Sequence, residues 1–436
     1  MAPCSIAPRV HKRVLSDQQR RRDLALQRQA EGRRNLQLHA RQLAAGLSTA
    51  KEDEMDGDEE IGEVEIEGVS TIEREEGDKV QDNAESSPIK EDPKDVGLQQ
   101  GTRLRGAKAR AWFSKQLMLP EWMIDIPLRL QHDWYVMSRP AGQRCVVVSS
   151  HGSTVSRLRN GRVLHVFPSA LPNGARTRDV SAASSVFCIL DCIFNEPDKT
   201  YYVIDLMCWR GYSLYDCSCE FRFFWMNSKL AETNALQLPS AHHRYRFSVV
   251  PVYECSTTGL QAAYCQPMPF SRDGILFYNR HAHYILGHTP LALVWKDAQC
   301  SAYPVDTDSK GNVSAYQQVV LELASDGSVV TSDEPPLVLA TMPAQFLQQN
   351  AANLKPGALL RFNIGEQGLT IVNGRPVVAD IQFQGVASRS RPGADSCTKV
   401  LFQYAARRDP LTIMDLVAAV DSSDAEGDMR MAGEET

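Results

Sequence analysis

No apolar run in this 436-residue chain is long enough to cross a bilayer as a helix, and its first residues lack the apolar stretch of a secretory signal. No CxxC occurs among its eleven cysteines. Their odd number and their scatter through apolar runs read as reduced, mostly buried thiols of a cytosolic or nuclear protein. No aromatic residue occurs between positions 47 and 110. An acidic stretch without aromatics, strewn with Gly, Ser and Pro, cannot bury enough apolar surface to offset its ordering entropy, so 47–110 is predicted to be a disordered linker. The fourth absence is lysine: none stands between Lys115 and Lys199.

Charge is abundant but segregated. Residues 9–46 carry ten Lys/Arg against three Asp/Glu, whereas residues 51–95 carry nineteen acidic against five basic groups. Separation this strong at one end marks interaction tails. The basic segment is predicted to be an amphipathic helix. Ser16-Asp17-Gln18-Gln19 fits a capping box, and Gly46 offers a stop. Its arginines spread around the cylinder, and its apolar stripe is expected to be too thin to bury against a core.

From Trp112 onward short β-like runs recur, at Arg144–Ser150, Val163–Phe167, Val186–Phe194, Tyr201–Trp209, Phe247–Tyr253, Gly274–Tyr278 and Leu291–Trp295. Asn195–Lys199 reads as a hairpin turn, and Glu220–Leu230 as the best helix of this part. The pattern is α+β with mostly antiparallel strands. A second β-rich stretch has runs at Val319–Leu323, Leu337–Ala340, Leu359–Ile364, Leu369–Val372 and Val377–Gln384, with turns at Asp326-Gly327 and Asn373-Gly374. A short helix over Pro410–Val420 closes it. The predicted divisions are 9–46 (helix), 47–110 (linker), 111–297 (main domain), 298–420 (β-rich extension) and 421–436 (acidic tail). Cys217-Ser-Cys219 and His281-Ala-His283 lack structural-zinc spacing, so no metal site is expected.

Three ordered segments resemble the landmarks of capping enzymes and ligases, which attach a nucleotide to an active-site lysine. Ser149-Ser150-His151-Gly152, followed by Arg159-Asn160-Gly161, stands where their lysine motif lies; Asp273–Phe277 and Leu293–Lys296 resemble two later strands. Longer runs are similar to the snurportins, adaptors that import ribonucleoproteins with a trimethylguanosine cap. These are Gln116–Asp125, Tyr201–Gly211 and Phe221–Leu230, and the resemblance covers roughly 112–296. It implies the nucleotidyltransferase type of α+β fold and an isolated amino-terminal helix that binds importin β; the resemblance does not extend to 297–420, whose strand runs read as a small OB-like β extension.

A guanine methylated at N7 is cationic and stacks on an indole face. The resemblance implies Trp295 as the stacking ring and Trp122 as a wall near the methyl groups, with Leu119 and Pro120 lining the space. Pro120 stands at a family serine position and supplies neither hydroxyl nor amide hydrogen. Gln143, Arg144 and Cys145 form a cap-contacting stretch, Arg159 replaces a family lysine, and Lys296 is a further candidate for phosphate. Arg13, Arg20, Arg21, Arg22, Arg28, Arg33, Arg34, Arg41 and Leu43 are the implied importin-β contacts.

Covalent nucleotidyl transfer needs an amine beside the α-phosphate. Ser149 cannot form the phosphoramidate, so no catalysis and no cofactor are expected. The expected function is a monomeric shuttling adaptor between cytoplasm and nucleus. Its partners would be capped small nuclear RNA, importin β, and an exportin with Ran-GTP for recycling, with no membrane. The rivals are an active GTP-dependent nucleotidyltransferase and a binder of monomethylated caps.

Overall fold

A computed structural model describes residues 17–31, 37–45, 106–176, 186–240, 243–307, 312–350, 354–388, 391 and 393–422. Among them no helix is long and apolar enough to cross a membrane. The amino-terminal basic segment forms helices α1 (Asp17–Glu31) and α2 (Gln37–Ala45), followed by α3 (Gly106–Phe113). Arg13, Arg33, Arg34 and most of the expected linker and acidic tail lie outside the described residues.

The main domain is two packed sheets. The first runs in the order β1 (Met118–Trp122), β12 (Gly287–Trp295), β11 (Arg272–Asn279), β2 (Trp134–Pro140), β10 (Tyr253–Glu254). Only the β1–β12 pair in this sheet is parallel. The second runs β5 (Val163–Phe167), β4 (Ser153–Leu158), β3 (Gln143–Ser150), β6 (Cys188–Asn195), β7 (Thr200–Trp209), β8 (Tyr212–Ser213), with β9 (Arg246–Val249) parallel on β7. Strands β6 and β7 are buried along their whole length, which is why their sequences are mostly apolar, broken by Asp191 and Asp205, instead of alternating. Helix α4 (Cys219–Ala231) starts where Ser218 accepts the Phe221 N–H, a hydroxyl N-cap.

Arg222 of α4 and Asp205 of β7 are both fully buried and joined by Nε–Oδ1 and Nη2–Oδ2 bonds of 2.9 and 2.8 Å. Arg222 Nη1 also donates to the carbonyls of Cys217 and Ala282. A charge this deep is tolerable only when paired and fully hydrogen-bonded.

The extension is a five-stranded antiparallel sheet in the order β15 (Val338–Thr341), β14 (Ser328–Val330), β13 (Gln318–Leu323), β16 (Leu359–Val372), β17 (Arg375–Val386). Its edge strands β15 and β17 meet, so the sheet nearly closes. A short helix, α5 (Ala344–Gln349), links its third and fourth strands. That order, with a helix at that link, is consistent with the OB-like expectation. Leu359–Ile364 and Leu369–Val372, expected as separate strands, are one irregular strand whose register shifts between Ile364 and Leu369. Helix α6 (Cys397–Ala406), missed in the sequence, follows, and a last helix spans 413–422.

Two expectations need correction. The basic helices are not isolated. Gln18 and Arg22 of α1 are buried, as are Ala40, Leu43 and Ala44 of α2. The apolar stripe is thin as read, but α1 is seated by polar groups. Arg22 Nη2 reaches Asp125 Oδ1 at 2.9 Å, Arg21 pairs with Glu121, and Gln18 donates to Glu121 and to the Trp122 carbonyl. Nor is the extension a separate body. Phe402 of α6, with Leu416 and Val420, completes one core with Trp134, Leu293 and Trp295.

Candidate functional site

The second and first sheets are joined at β2–β3, where the chain leaves one sheet and enters the other. Arg139 is the last residue but one of β2, Arg144 the second of β3, and Pro140-Ala141-Gly142-Gln143 lies between them. Gly142 has φ of +147°, and a Cβ there would come within 2.2 Å of the Phe194 carbonyl oxygen, so the crossing is tight. Two arginines, one per sheet, thus flank one sharp crossing.

Cross-strand register adds a third cation. Cys145 pairs with Leu158, which sets Arg144 opposite Arg159 at the mouth of the β3–β4 pair. Like charges facing one another across strands repel. Arg144 is held by Asp191, which accepts its Nε at 3.1 Å and Nη2 at 2.7 Å, and Nη2 also meets the Met118 carbonyl at 2.7 Å. The Tyr284 hydroxyl donates to Asp191 at 2.6 Å and accepts from the Met118 N–H. Burial works against charge on Arg144, but Asp191 outweighs it and the net shift is upward. Arg159 has no such partner among the described residues. Its side chain reaches solvent, yet the protein packed around it, and then the guanidinium groups of Arg144, Arg139 and Arg391, push it down to about 10.

The fourth cation is Lys296, just beyond β12. Its ammonium meets Asp273 Oδ1 at 2.5 Å, and Arg139 Nη1 pairs with Oδ2 of the same carboxylate. Asp273 precedes Gly274, whose φ is +103° at an irregularity in the β11–β2 register. That bend aims the carboxylate between the two cations. Burial alone would raise the Asp273 carboxyl; Arg139 and Lys296 outweigh it, and the net shift is downward. Lys296 is shifted down, first by burial and then by Arg139. The Lys296 ammonium also stands 6.0 Å from the ring centroid of Trp122.

Around this cleft the expected residues divide. Arg144, Arg159 and Lys296 belong to it. Half-buried Trp122 borders it, its ring 4.8 Å from that of Phe402 and its backbone N–H bonded to Thr398. Leu119 and Pro120 are half-buried on β1 beside His288 and Thr289, and Gln143 is exposed. Two assignments fail. Cys145 is fully buried in the core beneath β3, since alternation turns its side chain away from Arg144, and burial raises its thiol. Trp295 is also fully buried: its ring packs with Tyr264, and Nε1 donates to the Leu411 carbonyl at 3.1 Å. Alternation along β12 sends Leu293 and Trp295 into the core shared with the extension, while Ala292 and Val294 face the other one. A ring with no open face cannot stack on a base.

Arg139, Asp191, Asp273 and Tyr284 were missed as site residues. For Arg139 a signal existed, since Arg-Pro-Ala-Gly-Gln-Arg places two cations about a turn. Arg391, from the extension, had none, because its approach is long-range.

At the place of the family lysine, Ser149 is fully buried on β3 and its hydroxyl donates to the Pro172 carbonyl at 2.7 Å. Four cations thus gather where the two sheets meet, and the position that the resemblance assigns to a lysine holds a buried, hydrogen-bonded serine. Over residues 116–297 the chain matches the family described as Snurportin1, m3G cap-binding domain. Among solved structures, the chain is similar to a mycobacterial DNA ligase D complexed with ATP and MES, at 13% identity over 64% of this chain and 97% of that one, with a TM-score of 0.30. The ligase domain from M. tuberculosis LigD gives 12%, 64%, 97% and 0.30.

Proposed function

We propose that this protein is a nuclear import adaptor that holds the trimethylguanosine cap of small nuclear RNA and links it to importin β, without catalysis. The family match over 116–297 carries this reading, and the cation cleft supports it. The triphosphate bridge meets Arg144 Nη1 and Arg159, with Lys296 released to it. The base goes to Trp122, whose ring already attracts the Lys296 ammonium; a cationic methylated guanine replaces that contact. Leu119 and Pro120 give apolar room for the two methyl groups on N2.

The arginine helices then serve importin β. Arg20, Arg28 and Arg41 are exposed, while Arg22 and Leu43 are turned inward, so binding requires α1 and α2 to leave the domain. Shuttling between cytoplasm and nucleus, and recycling by an exportin with Ran-GTP, complete the cycle. Pull-down with importin β in the presence and absence of capped RNA tests the adaptor role; a chain that binds capped RNA but never importin β is not an adaptor.

A further inference from the structure

We infer that Arg139, from the first sheet, is a fourth polyphosphate-binding cation of the cleft, opposite the pair supplied by the second sheet. The inference rests on the cap-binding reading. Three observations carry it. Arg139 and Arg144 are brought to one place by the β2–β3 crossing, so the cleft has a cation on each wall. Asp273 takes only Nη1 of Arg139; no acceptor among the described residues takes Nε or Nη2. Neither of these atoms is among the described buried polar atoms without a partner, and the side chain is 19% exposed, so its free edge is open to solvent where the two sheets meet and is not shut in a dry core.

Charge balance points the same way. Arg139, Arg144, Arg159 and Lys296 meet two carboxylates, Asp191 and Asp273. Two positive charges are left over where the two sheets meet, and Arg159 carries the penalty of its guanidinium neighbours. A ligand with several negative charges relieves that repulsion, whereas a nucleoside without phosphates does not. The planar fork of Arg139, fixed at one nitrogen by Asp273, presents its remaining edge as a ready phosphate clamp. Asp273 therefore acts as the positioning residue for Arg139 as well as for Lys296.

The test is equilibrium binding by the full chain, and by R139Q, R139K and R159Q, of a trimethylguanosine cap dinucleotide and of the trimethylguanosine nucleoside. R139Q is expected to weaken the dinucleotide roughly tenfold, the loss of one charge-assisted contact, and to leave the nucleoside unchanged. R139K should recover part of the loss. If R139Q binds the dinucleotide like wild type while R159Q is weakened, the inference fails and the cap reading stands. If R139Q loses both ligands equally, the role is structural and the inference also fails. If wild type binds neither ligand, the cap reading falls and the inference with it.

Discussion

Trp295 Nε1 donates to the Leu411 carbonyl at 3.1 Å, and this bond ties the last strand of the main domain to the segment that ends the extension. The extension thereby roofs a core that the family-matching segment leaves open. Trp295→Ala should cost about 3–5 kcal/mol of stability, the penalty of emptying a large buried site. Trp122→Ala should instead cost about 1–3 kcal/mol of cap affinity. Denaturant unfolding and cap titration of both variants separate the two; a Trp295 variant that loses affinity with unchanged stability would overturn the core assignment.

A second consequence follows from the seat of α1. Arg22 is 2% exposed and bound to Asp125, so under the proposed adaptor role importin β would have to displace this helix from the chain's own acidic notch. Asp125→Asn with Glu121→Gln leaves two hydrogen-bond acceptors but no charge. The double variant should show faster proteolysis of residues 17–31 and several-fold tighter importin-β binding. Unchanged cleavage would mean that the notch does not hold the helix.

Asp273 gives an acid dependence. Its carboxyl is held below the ordinary value, so its pairing stabilises the fold fully above about pH 4 and the benefit disappears as pH falls through the lowered value. In Asp273→Asn that part of the acid limb should vanish. Thermal melts of the two proteins between pH 2 and 6, if superimposable in slope, would contradict it.

The Arg222–Asp205 pair is the most deeply buried ion pair of the domain's second sheet and α4. Asp205→Ala leaves an uncompensated guanidinium and should cost about 3–5 kcal/mol, whereas replacing both partners with apolar residues should cost less. Chemical unfolding of the single and double variants measures this directly.

Much of the fold was legible because its strands announce themselves. Thr200–Trp209 and Cys188–Asn195 are mostly apolar and buried throughout, and the turn at Asn373-Gly374 joins the strands on either side of it, whereas Asp326-Gly327 leads into Ser328–Val330, a strand not read from the sequence. Ser153–Leu158 and Met118–Trp122 were missed, being short and mixed in polarity, their strand form set by neighbours. The site was legible only in type. Arg144 and Arg159 lie near Arg139, which shares Asp273 with Lys296, but nothing local says which face of β12 meets these cations. A one-residue change of phase sends Trp295 into a core instead of a pocket. The burial of α1 was equally hidden, because its contacts are made by glutamine and arginine with residues about a hundred positions away.

The central claim is that a cationic cleft bordered by Trp122 holds a trimethylated cap and does no chemistry on it. Calorimetric titration of the full chain with trimethylated and monomethylated cap dinucleotides, at one salt concentration, tests it most directly. The account predicts saturable one-to-one binding with the trimethylated ligand clearly preferred, and the ligand recovered unaltered. Preference for the monomethylated cap, or nucleotide found covalently attached to the protein, would contradict it.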